Sequence, residues 1–207
     1  MDSSGINRLV RQKELGLTIP QSVAVVGCGG VGSWTAYFLA LAGVPQLELF
    51  DGDTVSVTNL NRVPYTSRDL GEHKSIALEK FIKRQVPGII VTSDSHFIPS
   101  SSIIESKYMV VTTDTWASRR ECSEWCEKES IVYVEAAAEG EFGSCTDTPA
   151  DFATEDEARP GYASVPVWAG PCVIGAILAC EQVLHNGRLN GKCLRLGWNE
   201  GGCCFYE

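Results

Sequence analysis

The stretch that decides the fold reads Ser22-Val-Ala-Val-Val-Gly27-Cys-Gly29-Gly30-Val-Gly32-Ser33. Residues 23–26 are a continuous apolar run, typical of a parallel strand that is buried on both faces. Residues 31–42 continue as an apolar, alanine-rich helix that Gly43 closes. The glycines between them allow a tight turn and bring backbone amides at the helix N-terminus close to phosphate oxygens. The stretch therefore predicts a nucleotide-binding turn formed by Gly27, Gly29, Gly30, Gly32 and Ser33.

The residues after the glycines narrow the type of nucleotide site. No Lys-Ser or Lys-Thr pair comes directly after them, which excludes a Walker phosphate loop and leaves a dinucleotide fold or a relative of it. In such folds an acidic residue about 20 residues further on holds a ribose hydroxyl. Asp51, at the end of the second predicted strand, fits that position. Taken alone, the glycines are also compatible with a simple packing turn.

A polar cluster after the second strand favours a nucleoside triphosphate over a dinucleotide as the ligand. The stretch Asp51-Gly-Asp53-Thr-Val-Ser-Val-Thr-Asn59-Leu-Asn61-Arg62 combines carboxylates, amides and a guanidinium. A dinucleotide fold explains Asp51 but not the Asn-Leu-Asn-Arg segment, whereas a triphosphate needs both cations and amide donors. We expect nucleotide contacts from Asp51, Asp53, Asn59 and Arg62.

With this cluster, the chain resembles the adenylyltransferases that activate ubiquitin and its bacterial sulfur-carrier relatives, the ThiF and MoeB type. The pattern of that family is a GxGGxGS turn, an Asp after the second strand, Asn-x-x-Arg, a lysine and a Thr-Asp in the fourth strand. The resemblance covers residues 5–185. It implies an α/β fold with a Rossmann-like, mostly parallel sheet, helices on both faces and antiparallel strands at the end. It also implies adenylation, with ATP and Mg²⁺, of the C-terminal carboxylate of a ubiquitin-like or sulfur-carrier protein.

Lys74 matches the lysine that the family uses for the ATP phosphates. It stands at the start of a helix predicted over residues 72–85. An ammonium group there opposes the helix dipole unless an anion binds at the same place. The alternative is an exposed surface lysine.

Asp114 matches the metal-binding aspartate of the family. It ends the buried strand that begins at Tyr108, at the edge of the sheet where open α/β folds bind ligands. A carboxylate there suits a Mg²⁺ ion that bridges ATP phosphates. The alternative is an N-cap for the helix predicted over residues 115–128. The usual Thr-Asp-Asn of the family is Thr-Asp-Thr in residues 113–115.

The N-terminal residues 1–21 read as an arm with a short helix. The resemblance implies that Arg11 reaches from this arm into the active site of a partner subunit and contacts the ATP phosphates there. This predicts a homodimer with composite sites. The alternative for Arg11 is a solvated helix face.

The resemblance also raises the question of a covalent step. In many family members, a cysteine in a crossover loop accepts the activated protein as a thioester. We predict this loop over residues 144–163, between a strand over 140–143 and an apolar helix over 169–184, and expect Cys145 to be its exposed nucleophile. The acidic residues after Cys145 raise a thiol pKa and argue against this role. The alternative for Cys145 is a plain loop thiol. The acceptor would then be Cys203 or Cys204, on a terminal hairpin predicted over residues 192–207, or the adenylate would pass directly to an external nucleophile without a protein thioester.

The composition sets the broad class. The chain has 207 residues, 44% of them hydrophobic, which predicts one domain over residues 1–207. A net charge of -9 argues against nucleic acid or an anionic membrane as the main partner. The chain has no apolar run of about 18 residues and no leader pattern, so we expect a cytoplasmic protein with reduced thiols. The spacing of its cysteines does not provide the paired Cys-x-x-Cys zinc ligands of several relatives.

Three other functions remain open from the sequence. The first is a tRNA-modifying dehydratase of the same superfamily, whose Val-Thr-Asn-x-Asn-Arg stretch is similar to residues 57–62. The second is adenylation of a peptide in antibiotic synthesis. The third, from another class, is an inactive or NAD-binding subunit that pairs with an active enzyme.

Overall fold

A computed structural model describes residues 8–96, 104–148, 166–186, 192–199 and 202–206. Its strands are β1 (Ser22–Val26), β2 (Gln46–Phe50), β3 (Ile90–Asp94), β4 (Tyr108–Val111), β5 (Val132–Glu139), β6 (Phe142–Thr146), β7 (Cys193–Asn199) and β8 (Gly202–Tyr206). Its helices are α1 (Gly30–Ala42), α2 (Lys74–Gln85), α3 (Trp116–Glu129) and α4 (Ala169–Leu184). Short 3-10 turns cover Val10–Leu15, Val57–Asn59 and Ser67–Asp69.

The strands form one eight-stranded sheet in the order β3-β2-β1-β4-β5-β6-β7-β8. All pairs from β3 to β5 are parallel, and β5 to β8 pair antiparallel. The chain reverses its direction across the sheet between β1 and β4. In open α/β sheets such a reversal opens a crevice at the carboxyl ends of the strands. The predicted fold class, a mostly parallel sheet with helices on both faces that ends in antiparallel strands, is confirmed.

Helices cover both faces of the parallel strands. Helices α1, α2 and α4 contribute to one core cluster and α3 to the other. Along β1, Val23 and Val25 point into the first cluster, while Ala24 and Val26 point into the second. This alternation explains why the strand is apolar at every position. In the described part of the chain, no helix is long and apolar enough to cross a membrane.

The segment around Cys145 differs from its prediction. Strand β6 continues to Thr146, so the expected loop cannot begin at residue 144, and residues 149–165 lie outside the described part. Cys145 pairs with Ala136 of β5 and Leu194 of β7. Its side chain is 1% exposed, and burial raises the pKa of its thiol. The prediction of an exposed thiol at this position is wrong, because both neighbouring strands and α4 enclose it.

The N-terminal arm is attached to the far end of α1. Arg8 donates hydrogen bonds to the carbonyls of Ala40 and Leu41, and Gln12 donates to Ala42. The bonds to Leu41 and Ala42 satisfy carbonyl groups that a helix C-terminus leaves without partners. Since α1 runs antiparallel to β1, the arm lies at the edge of the sheet opposite to the carboxyl ends of the strands.

Candidate active site

A cavity of about 810 Å³ lies at the carboxyl ends of the parallel strands. It brings together most of the site residues predicted from the sequence: Gly27, Gly29, Gly30, Asp51, Asp53, Asn59, Arg62, Lys74 and Asp114. Among the described residues, four predicted ones do not line it, namely Gly32, Ser33, Arg11 and Cys145. The cavity occupies the crevice where the sheet reverses direction, the usual ligand position in this architecture.

The glycine turn is built by close packing between β1, β4 and α1. Gly27 has a φ of +92°, and a Cβ on it would lie 2.8 Å from Thr112 Oγ1. Thr112 donates a hydrogen bond of 2.9 Å to the Gly27 carbonyl. A Cβ on Gly32 would lie 1.8 Å from that same carbonyl oxygen. Gly32 therefore allows α1 to approach the end of β1, and Ser33 next to it is fully buried.

The N-terminus of α1 opens into the cavity. Among the described residues, no side chain caps its first turn, and the turn contains no acidic residue. Its backbone N–H groups and the positive end of the helix dipole are therefore directed at the cavity. Gly29 sits at the N-cap, and a Cβ on it would meet no described atom within 4 Å. This end of the cavity can accept an anion such as a phosphate.

Asp51 is a fixed carboxylate at the end of β2. It is 8% exposed and accepts the Cys28 N–H at 2.7 Å and the Asp53 N–H at 2.8 Å. Burial raises the pKa of Asp51, while nearby Lys74 and the two N–H donors oppose that rise. Both carboxylate oxygens are thus oriented before a ligand binds, as a ribose-binding acid requires.

Two cations line the cavity near Asp51. The Nζ atom of Lys74 lies 2.7 Å from an oxygen of Asp53, which is itself 57% exposed. The Lys74 side chain is 13% exposed, but the Asp53 end of the pair is open to solvent, so a phosphate can replace Asp53 as the partner of Lys74. Arg62 donates to the Thr58 carbonyl at 2.6 Å, and its own carbonyl accepts the Trp34 indole N–H at 2.9 Å. This contact holds the Arg62 segment against α1.

Asp114 lies in the turn after β4, and its orientation depends on a buried ion pair beneath it. Arg119 donates two hydrogen bonds, of 2.9 and 2.7 Å, to the Thr113 carbonyl. The same guanidinium pairs with Glu135, which also accepts the Tyr133 hydroxyl at 2.6 Å. Arg119 is 1% exposed. The pair therefore fixes the backbone that carries Asp114.

The role of Arg119 was not predicted from the sequence, and Asp114 is not the N-cap of α3. The N-cap of α3 is Thr115, whose hydroxyl accepts the Ser118 N–H at 3.2 Å. The N-cap interpretation of Asp114 is therefore wrong, and its exposed carboxylate remains directed to the cavity. Residues three or four apart share one face of a helix. Arg119 therefore lies on the same face as the buried Cys122 and Cys126, and this position is the only sequence signal that its side chain turns inward.

The family assignment comes from comparison with known proteins. Residues 11–157 match the model of the ThiF family. The chain belongs to the ThiF family. This confirms the predicted resemblance, and the matched region contains the glycine turn, Asp51, Arg62, Lys74 and Asp114.

Relatives of this ThiF chain include enzymes with different names. The tRNA threonylcarbamoyladenosine dehydratase of Escherichia coli (strain K12) is 30% identical over 142 residues, which are 66% of this chain and 53% of that protein. Ubiquitin-like modifier-activating enzyme 5 of Culex quinquefasciatus is 35% identical over 115 residues, 53% of this chain and 29% of that protein. The ThiF chain thus spans about half the length of the first and less than a third of the second.

Solved structures support the fold assignment of the ThiF chain. E. coli MccB with ATP superimposes with a TM-score of 0.72 at 17% identity, covering 90% of this chain and 62% of MccB. PaaA superimposes with a TM-score of 0.69 at 22% identity, covering 90% of this chain and 64% of PaaA. At these identities the likeness concerns the fold, and it extends into the antiparallel part of the sheet.

Proposed function

We propose that this ThiF-family chain is an adenylyltransferase that uses ATP to activate the C-terminal carboxylate of a peptide or of a small ubiquitin-like or sulfur-carrier protein. One observation carries the proposal. A single cavity joins the uncapped N-terminus of α1 to Asp51, Lys74, Arg62 and Asp114. A plain NAD site uses the helix N-terminus and Asp51 but has no need for the other three charged groups.

The positions of the charged groups suggest how ATP would lie. The phosphates would occupy the N-terminus of α1, where Lys74 and Arg62 can neutralise them. The ribose would reach Asp51 at the end of the neighbouring strand. The superposition on MccB, which was solved with ATP, supports ATP as the nucleotide.

Magnesium fits the donor set of this cavity. In the described part of the chain, no group of three or more His, Cys, Asp or Glu side chains is placed to hold a metal ion. The cavity instead offers Asp114 alone at its β4 side. A single carboxylate together with phosphates and water is the arrangement in which proteins often bind Mg²⁺. When bound, the ion would supply positive charge to the phosphates.

The proposed reaction requires no protein nucleophile. A carboxylate oxygen of the substrate forms a bond to the α-phosphorus of ATP. The bond from that phosphorus to the bridging oxygen breaks, and pyrophosphate leaves. The enzyme contributes by holding the two reactants in line and by stabilising charge on the phosphates. Lys74 and Arg62 would stabilise the charge on the phosphates. The rigid turn that carries Asp114 would keep this carboxylate in position.

Two observations favour a peptide or protein substrate. Ubiquitin-like modifier-activating enzyme 5 is a relative by sequence, and MccB, which was also solved with MccA, is a relative by fold. The dehydratase relative supports a second candidate, because threonylcarbamoyladenosine also carries a free carboxylate that ATP can activate. The net charge of -9 of this chain disfavours tRNA, whose phosphates would be repelled.

Exchange of labelled pyrophosphate into ATP tests the proposed reaction. We expect exchange with peptides or carrier proteins that have a free C-terminal carboxylate and none with the same molecules carrying a C-terminal amide. Exchange that depends on tRNA alone would favour the dehydratase candidate. Absence of exchange with every carboxylate, tRNA included, would contradict adenylation.

We further propose that Arg11 acts across a homodimer. Arg11 is exposed on an arm that is attached to the C-terminal end of α1, at the opposite edge of the sheet from its own cavity. The side chain can therefore serve an active site only in a second copy. We expect Arg11→Ala and Asp114→Ala proteins, each inactive, to regain activity when mixed, since a mixed dimer contains one intact site. No recovery after proven subunit exchange would exclude this role.

The burial of Cys145 changes the expectation for a covalent step. A thiol enclosed by β5, β7 and α4, with a pKa raised by burial, is poorly placed to attack an adenylate. We expect Cys145→Ala to retain pyrophosphate exchange and any thiol-sensitive adduct with the substrate protein. Loss of the adduct alone would show that Cys145 becomes accessible during turnover. The side chains of Cys203 and Cys204 lie outside the described part of the chain.

A further inference from the structure

His96 lies at the end of the cavity that the proposed reaction leaves unassigned. Three neighbouring strands end along this edge: β1 leads to the N-terminus of α1, β2 to Asp51 and β3 to His96. The Asp51 N–H donates to the Asp94 carbonyl at 3.2 Å, which joins the ends of β2 and β3. With phosphates over β1 and the ribose over β2, a nucleobase extends toward β3. His96 lines the cavity there.

A carboxylate holds the imidazole of His96 in one orientation. The Nδ1 atom lies 2.7 Å from Asp94 Oδ1, and the His96 backbone N–H donates to the same oxygen at 2.9 Å. The ring is nevertheless 83% exposed, so a ligand can reach it. Because a carboxylate accepts hydrogen bonds, the neutral imidazole has its proton on Nδ1 and its lone pair on Nε2.

We propose that His96 determines the choice of nucleobase, its Nε2 atom accepting a hydrogen bond from the N6 amine of adenine. This inference rests on the proposed function, since it assumes a nucleoside triphosphate in the cavity. Asp94 serves as the positioning residue, because it sets both the tautomer and the direction of the ring. No residue of the glycine turn can make this choice, as phosphate and ribose contacts are shared by all nucleotides.

The same geometry opposes guanine. Guanine presents a carbonyl oxygen where adenine presents an amine, so two lone pairs would face each other. Because the His96 side chain is 83% exposed, water can replace a missing donor at Nε2, so the expected discrimination is that of one ordinary hydrogen bond. Purine riboside triphosphate, which is ATP without the N6 amine, isolates the single hydrogen bond because the rest of the ligand is unchanged.

Calorimetric titration of the complete chain with Mg²⁺ and each nucleotide tests this role. For the wild type, we expect ATP to bind about fivefold more tightly than purine riboside triphosphate, the effect of one ordinary hydrogen bond. In His96→Leu, the two nucleotides should bind equally, since the acceptor is gone. His96→Gln, whose side-chain carbonyl can accept the same bond, should retain part of the preference. GTP should bind the wild type more weakly than either.

The titration results distinguish a failure of the proposed role of His96 from a failure of the proposed ATP binding. Equal affinities of the wild type for ATP and purine riboside triphosphate would overturn the role of His96 while leaving ATP binding intact. The same preference in His96→Leu as in the wild type would also overturn it. If the wild type binds no ATP at all, the proposed function itself fails. Unchanged thermal unfolding of both variants would show that the substitutions act on the ligand.

Discussion

Replacement of Asp114 by asparagine is expected to slow carboxylate-dependent pyrophosphate exchange by about a thousandfold, the upper range for loss of one electrostatic contact in an active site. The amide is nearly the same size but is neutral, so it binds Mg²⁺ poorly. Asp114 is exposed and Thr115 supplies the N-cap of α3, so thermal stability should not change. Exchange rates and melting temperatures of the two proteins measure both effects.

A matched control for Asp114→Asn is available on the helix after it. Glu127 is an exposed carboxylate near the C-terminal end of α3, away from the cavity. Glu127→Gln removes the same charge and should leave exchange unchanged. If Asp114→Asn keeps most of its activity at every Mg²⁺ concentration, Asp114 does not bind a metal ion that the reaction needs.

Two glycines of the turn are expected to respond in opposite ways to alanine. A Cβ on Gly32 would lie 1.8 Å from the Gly27 carbonyl oxygen, so α1 must move away from β1. We expect Gly32→Ala to lose about 3 kcal/mol of unfolding free energy, the upper end of the usual cost of overpacking, because the obstacle is backbone. A Cβ on Gly29 meets no described atom within 4 Å, so Gly29→Ala should fold normally.

Gly29→Ala instead tests where the phosphates bind. The added methyl group would stand at the N-terminus of α1, in the space assigned to the phosphates. We expect its affinity for ATP to fall at least about tenfold with an unchanged denaturation midpoint. Urea denaturation and calorimetry of both variants give the comparison. Normal ATP binding by Gly29→Ala would place the phosphates elsewhere in the cavity.

The parallel half of the fold is predictable because local signals agree there. The run from Val23 to Val26, the glycine turn and the closing Gly43 each mark an element boundary by a known physical rule. The structure places β1 at Ser22–Val26 and ends α1 at Ala42. Polar residues after β2 and β4 then meet at one edge, because parallel strands align their carboxyl ends. This explains why Asp51 and Asp114 reach the same cavity.

The segment around Cys145 is not predictable in this way because its surroundings come from distant parts of the chain. Residues 142–146 contain glycine and serine, which are typical of turns. They form a strand because β5 and β7 pair with them on both sides. The second partner begins at Cys193, far along the sequence. Strand formation depends strongly on such neighbours and only weakly on local composition.

The supporting contacts of the site are also hidden from the sequence. An arginine in an amphipathic helix is usually solvated, and the position of Arg119 on the face of Cys122 and Cys126 does not identify Glu135 as its partner. A buried ion pair requires both charges, and removal of one partner leaves the other unpaired. The arrangement becomes visible only when β5 is placed next to β4. The contact between Asp94 and His96 depends in the same way on the end of β3.

Calorimetric titration of the wild-type chain with ATP in the presence of Mg²⁺, alongside a titration with NAD⁺, tests the central claim most directly. It needs no knowledge of the carboxylate substrate. We expect ATP to bind with full affinity only when Mg²⁺ is present and to bind far more weakly to Lys74→Met, while NAD⁺ gives no comparable signal. Tight binding of NAD⁺ with no response to ATP and Mg²⁺ would contradict the assignment of this cavity to an adenylyltransferase.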